Sequence, residues 1–166
     1  MLHQPITTAI TIREYRDQDE DAVIALVREM QGHETQFNPH YKPAEAIGPW
    51  YIELLKKNCA ELQGVILVAL DGSAYAGIAV VFTRVAENGE GEAFAHVSAH
   101  VSEIVVTQSA RGRGIGRALL AECETRARAA GRTELTLDVF PGNTAARQLY
   151  LQFGFEDFKI KQRKVL

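Results

Sequence analysis

Residues 101–120, VSEIVVTQSARGRGIGRALL, join a β-type run to a helix through a short polar turn and an arginine loop with glycines at 112, 114 and 116. Consecutive N–H groups at a glycine-relieved helix start, with the positive end of the helix dipole behind them, form a seat for a pyrophosphate. Glycine suits that seat because no Cβ stands between the backbone and the phosphate oxygens. Arg111 and Arg113 can add charge-assisted contacts. The spacing excludes two kinds of nucleotide site. A P-loop needs Lys and then Ser or Thr after its last glycine, whereas Gly116 is followed by Arg117 and Ala118. A dinucleotide fingerprint begun at Gly112 needs a third glycine at position 117, which is Arg117, and no compact strand-helix-strand unit precedes it. What remains is an R-x-x-G-x-G pattern directly behind a strand.

A second group lies downstream. Asn143, Ala146 or Arg147, and Tyr150 fall at helical spacing over two turns, which puts the Asn amide and the Tyr hydroxyl on one face. The loop from Arg111 to Gly116 resembles the acetyl-coenzyme A loop of the GNAT superfamily of N-acetyltransferases. Asn143, Ala146, Leu149, Tyr150, Gly154 and Phe155 resemble that family's second signature, N-x-x-A-x-x-L-Y-x-x-x-G-F, and ITIREYRDQDEDAVIALV is similar to its first strand and helix. The likeness covers roughly residues 10–31 and 101–158; residues 32–60 show none.

The resemblance implies an acetyl-coenzyme A-dependent N-acetyltransferase, in which the coenzyme is co-substrate and the acetyl group moves by direct transfer in a ternary complex to a primary amine of a small molecule or protein. It also implies the site residues. The N–H groups of Gly112, Arg113, Gly114, Ile115, Gly116 and Arg117, with Arg111, would hold the pyrophosphate. Backbone groups of Ile104, Val105 and Val106 would pair with the pantetheine arm, one of them facing the thioester carbonyl, and Asn143 would touch the coenzyme. Tyr150 would be the general acid for the departing thiolate; a phenol with a pKa of about 10 still carries its proton at neutral pH. The rival reading of the same fold is a coenzyme-binding regulatory module without turnover. Tyr150 argues against it, since a pure binder needs no acid beside the sulfur.

The base is less determined. On a regular strand residues 100, 102 and 104 share one face and 101, 103 and 105 the other. His100 then lies near the acetyl group if the Ile104 face lines the cleft, and a near-neutral pKa suits proton removal. Glu103 points the other way unless the strand bulges. The acceptor pocket is expected from residues 32–51, which carry His33, Glu34, Phe37, Tyr41, Trp50 and Tyr51; an acid among aromatics suits an ammonium group, and ordinary helix packing explains the rings equally well.

These groups must be positioned by one domain spanning residues 1–166, since 166 residues with 46% hydrophobic content build a single core. A net charge of −3 and a pI near 6.0 give no global field for nucleic acid or an anionic membrane. The apolar runs fall short of the ~20 residues a membrane span needs, and the first ten residues lack a leader pattern, so a cytoplasmic protein is expected. Cys59 and Cys123 sit far apart without His clustering and read as reduced, partly buried thiols, with no metal site. The partners expected are the amine acceptor alone, with a homodimer as an open possibility.

Alternation and turn residues predict strands at residues 10–13, 65–70, 75–82, 93–107, 135–139 and 155–165, with Asp71-Gly72 a hairpin and Asn88-Gly89 a second turn. Helical spacing predicts helices over 19–31, 50–62, 115–131 and 143–153. The order implies an α+β fold of three layers, GNAT-type by resemblance, with a mixed, mostly antiparallel sheet of about six to seven strands flanked by about four helices.

Overall fold

The computed structural model of the protein describes residues 9–87 and 94–166; the first eight residues and the expected turn at Asn88-Gly89 lie outside them. Strands β1 (Ile10–Glu14), β2 (Gly64–Asp71), β3 (Ala74–Glu87), β4 (His96–Val106) and β5 (Leu135–Leu137) form one sheet in the order β1-β2-β3-β4-β5. Neighbours run antiparallel except β4 and β5, which are parallel. The helices are α1 (Glu20–Glu34), α2 (Pro49–Leu62), α3 (Ile115–Ala129) and α4 (Thr144–Phe153).

Each face of the sheet carries its own core, as period-2 alternation requires. Val23, Leu26 and Val27 of α1 pack on Val68, Ile78 and Val105, and Leu55 of α2 packs on Ile66, Val80 and Phe82. On the opposite face Ile115, Leu119 and Cys123 of α3 meet Leu67, Ala79 and Val101. Asp19, fully buried ahead of α1, locks the first strand to this framework. It accepts from Arg13 Nη1 and Nη2 at 2.6 and 2.8 Å, from the Arg16 N–H at 2.8 Å and from the Tyr75 hydroxyl at 2.7 Å. The Arg13 guanidinium, aided by the Tyr75 and Arg16 donors, holds its carboxyl well below the usual carboxylate range.

Two features depart from the sequence reading. The alternating stretch 155–165 forms no strand, so the described sheet has five strands rather than six or seven. β5 offers an edge of only three residues, and Phe158 and Ile160 stand 83% and 73% exposed, so alternation there has no partner strand to act on. The second departure is a β-bulge in β4. Val80 faces Glu103 but Val81 faces Val101, which leaves Ser102 as the extra residue. Beyond the bulge the faces exchange, so Glu103 and Val105 join His100 on the α1–α2 side, while Ile104 joins Val101 beneath α3.

Candidate active site

The bulge coincides with an opening in the sheet. β5 pairs with β4 at Ala99, His100 and Val101, opposite Leu135, Thr136 and Leu137, and the described pairing ends there while β4 continues five residues further. The ladder between these two strands therefore stops at Val101 and Leu137. Thr107 donates its N–H to Ala76 of β3, so alternation turns the N–H and C=O of Ile104 and Val106 toward the opening. The Val106 carbonyl accepts from Arg111 Nε at 3.0 Å.

The glycine loop follows at once. Gly112 and Gly114 have φ of +74° and +80°, values that side chains resist, and a Cβ built on either would stand in open space. Gly114 is the N-cap of α3, so the unpaired N–H groups of its first turn face outward together. Gly116 serves packing instead, because a Cβ there would come within 2.9 Å of Leu149, and its absence seats α4 against the start of α3. Both loop arginines are paired with carboxylates. Arg113 bonds Asp71 of the hairpin, and Arg111 bonds Glu29 of α1 at 3.3 Å. Arg117 lies 5.5 Å over the Phe153 ring, and Ile115 is buried beneath α3.

α4 brings in Asn143 and Tyr150. Asn143 caps the helix, its Oδ1 accepting from the Ala146 N–H at 3.3 Å, so one polar end of this side chain serves the fold. Tyr150 is 8% exposed, its ring 6.0 Å from Phe155. Burial, reinforced by the charge of Glu34, pushes its phenol up to about 12.

Glu103 accepts from the Tyr51 hydroxyl at 2.8 Å. Burial pushes this carboxyl up to about 7; the Tyr51 bond opposes the shift and the Glu34 charge adds to it. Glu34 is itself raised by burial, and its charge raises Tyr41, Tyr51, Glu103 and Tyr150 in turn. His100 sits one register below on the same face, opposite Phe82, with Nδ1 2.9 Å from Thr136 Oγ1. The two candidate bases thus share a face, and Glu103 is the one beyond the last paired residues.

The segment expected to form the acceptor pocket closes this side. Phe37 stacks on Phe140 at 5.7 Å and Tyr41 meets Phe140 edge-on at 5.8 Å, joining the α1–α2 connection to the chain that follows β5. Gly142 permits the contact, because a Cβ there would lie 2.8 Å from the Phe37 ring. Trp50 belongs to the outer surface, 45% exposed, under Lys42 Nζ at 4.7 Å. Cys59 and Cys123 lie on α2 and α3, away from the opening, and burial pushes their thiols up to about 11 and about 12. Among the described residues no group of three or more His, Cys, Asp or Glu could hold a metal ion, and no helix is long and apolar enough to cross a membrane. The bond from Tyr51 to Glu103 had no signal in spacing alone, because it depends on the bulge.

Residues 25–155 match the family model described as Acetyltransferase (GNAT) family. No curated protein matches the chain by sequence. Among solved structures, a single-site mutant of the BH1408 protein from Bacillus halodurans superposes with a TM-score of 0.84 at 21% identity, covering 94% of this chain and 99% of that one. A transcriptional regulator from Bacillus halodurans C-125 gives 0.70 at 19% identity, covering 95% and 100%. A Trypanosoma brucei acetyltransferase gives 0.66 at 19% identity, covering 95% and 100%. At these identities the likeness is one of fold.

Proposed function

The chain belongs to the acetyltransferase (GNAT) family, and we propose that it transfers the acetyl group of acetyl-coenzyme A directly to a primary amine of a small molecule or protein. The observation that carries this reading is the opening beyond Val101 and Leu137, with the glycine loop at the end of β4 and a raised carboxylate, Glu103, on the strand that borders it. The pyrophosphate would lie on the N–H groups of residues 112–117. The pantetheine arm would run along β4, where the outward N–H and C=O of Ile104 stand ready for its amides.

Acetyl transfer then needs one proton removed and one supplied. The amine nitrogen attacks the thioester carbonyl carbon as Glu103 takes its proton, and a carboxylate near pKa 7 is matched to that role at neutral pH. An outward N–H of β4 faces the developing oxyanion. The carbon–sulfur bond breaks, Tyr150 gives its proton to the sulfur, and its phenolate regains one from solvent. A phenol pushed up to about 12 reaches this step still protonated. Direct transfer fits better than an acyl-cysteine intermediate, since Cys123 is buried, Cys59 is half-buried and burial raises both thiols. Glu34, with the rings of Tyr41 and Phe37 beside it, would favour the approach of an ammonium group, which gives up one proton to solvent before its nitrogen attacks.

Release of coenzyme A thiol in the presence of acetyl-coenzyme A and a panel of primary amines tests the reading. Amine-dependent release is expected. Binding of the coenzyme without release for any amine would instead favour the regulatory module. His100 is the other candidate base, and the pH profiles of Glu103→Gln and His100→Gln separate the two.

A further inference from the structure

Glu29 lies on α1, outside every motif that points to the acetyl-donor site, yet its carboxylate holds the base of that site. Its Oε2 accepts from the Thr107 hydroxyl at 2.8 Å, and its Oε1 accepts from the Gln108 N–H at 2.7 Å and from Arg111 Nη2 at 3.3 Å. These three partners make up the turn between the end of β4 and the glycine loop. Arg111 in turn donates from Nε to the Val106 carbonyl, which is the last outward acceptor of the strand. One side chain therefore fixes the turn from both ends and keeps Arg111 lying along the edge of β4.

The helix that carries it is well anchored. Val23, Val27, Ile24 and Leu26 of α1 are 0–5% exposed against the sheet. On either side of Glu29, Arg28 Nε donates to the Ile47 carbonyl at 2.8 Å and Gln31 Nε2 to the Lys42 carbonyl at 2.7 Å, tying down the connection that forms the acceptor side. α1 thus grips the donor loop through Glu29 and the acceptor loop through its neighbours, so the distance between the two is set by one rigid element.

We propose that Glu29 is a positioning residue for the acetyl donor: it holds residues 107–111 in the form that presents the N–H groups of the glycine loop, and it neutralises Arg111 so that this guanidinium serves the strand edge rather than the phosphate. This rests on the acetyl-coenzyme A reading given above. A misplaced loop loses hydrogen-bond alignment with the pyrophosphate while the acceptor side, held by Arg28 and Gln31, is untouched.

The test is calorimetric binding of coenzyme A itself, with steady-state kinetics beside it. Glu29→Ala is expected to weaken coenzyme A by about 10-fold and to raise KM for acetyl-coenzyme A in proportion, with kcat and KM for the amine near wild type. Glu29→Gln retains an oxygen for the Gln108 N–H but loses the ion pair, so its affinity is expected between the two. Coenzyme A binding by Glu29→Ala at the wild-type affinity overturns the proposal, as does an equal loss toward both substrates, which is what a merely structural role gives. If Glu29→Ala does not fold, Glu29→Gln decides alone, and wild-type affinity in it overturns the proposal. Wild-type protein that does not bind coenzyme A overturns the donor reading itself, a result distinct from failure of Glu29.

Discussion

Glu103 and Tyr150 are both shifted upward by burial, with opposite consequences for proton transfer. A carboxyl raised to about 7 is a better base near neutrality, whereas a phenol raised to about 12 holds its proton until a strongly basic sulfur develops beside it. The base must be ionised, so turnover should rise with pH through about 7 and then level off. Glu103→Gln should flatten that limb and lower turnover by about 10²-fold to 10⁴-fold, whereas His100→Gln should keep the limb. The same carboxylate carries a cost in stability. Its folded pKa lies above the ordinary value of about 4.3, so the native state loses stability as pH rises from about 4 through 7, and Glu103→Gln should melt higher than wild type at pH 8. Tyr150→Phe keeps the ring and its packing, so a fall in turnover of about 10²-fold with little change in coenzyme affinity is expected. At this scale the sequence marks Tyr150 through its place in a helical signature. It favours His100 over Glu103 as the base, because regular alternation turns Glu103 to the opposite face, and one inserted residue, Ser102, reverses that assignment. A bulge is a property of the pairing with β3, and nothing in residues 100–105 alone requires it.

The elements are legible where the signal is local. Apolar spacing marks α1 and α3, Asp71-Gly72 marks the β2–β3 hairpin, and the glycine loop marks the start of α3. The tail misleads for the opposite reason. Alternation over 155–165 describes what a strand there would look like but not whether an edge is available, and β5 is three residues long. The same local logic gives a prediction about the first strand. Asp19 is fully buried and held by Arg13, Tyr75 and the Arg16 N–H, so Asp19→Asn, which leaves the guanidinium without its charge partner, should cost about 3–5 kcal/mol in urea unfolding. The depressed carboxyl also sets a sign for acid. Its contribution is fully present above the unfolded value of about 3.9 and is lost as pH falls below it, so wild type should lose stability below about pH 4 and Asp19→Asn should lose less.

The whole molecule assembles these parts by dividing labour between the two faces of one sheet. α3 and α4 carry the loop and Tyr150 on one side, α1 and α2 carry Glu34, Tyr51 and Glu29 on the other, and the proposed site lies where the β4–β5 pairing ends. A ligand bound across that opening should stabilise the entire fold by mass action. At a hundred times its dissociation constant acetyl-coenzyme A should add about 2.7 kcal/mol, or roughly 5–11 °C in melting temperature for a chain of this size. Gly114→Asp, which puts a carboxylate and a strained φ at the start of α3, should remove that shift. Turnover is the most direct measure of the proposed chemistry. Thiol release from acetyl-coenzyme A, followed with each of a set of primary amines in wild type and in Glu103→Gln, should show amine-dependent release with the acetylated amine recovered by mass in wild type, and a rate lowered by about 10²-fold or more in the variant. Release at equal rates in the two proteins, or coenzyme binding with no acetylated amine formed, would contradict it.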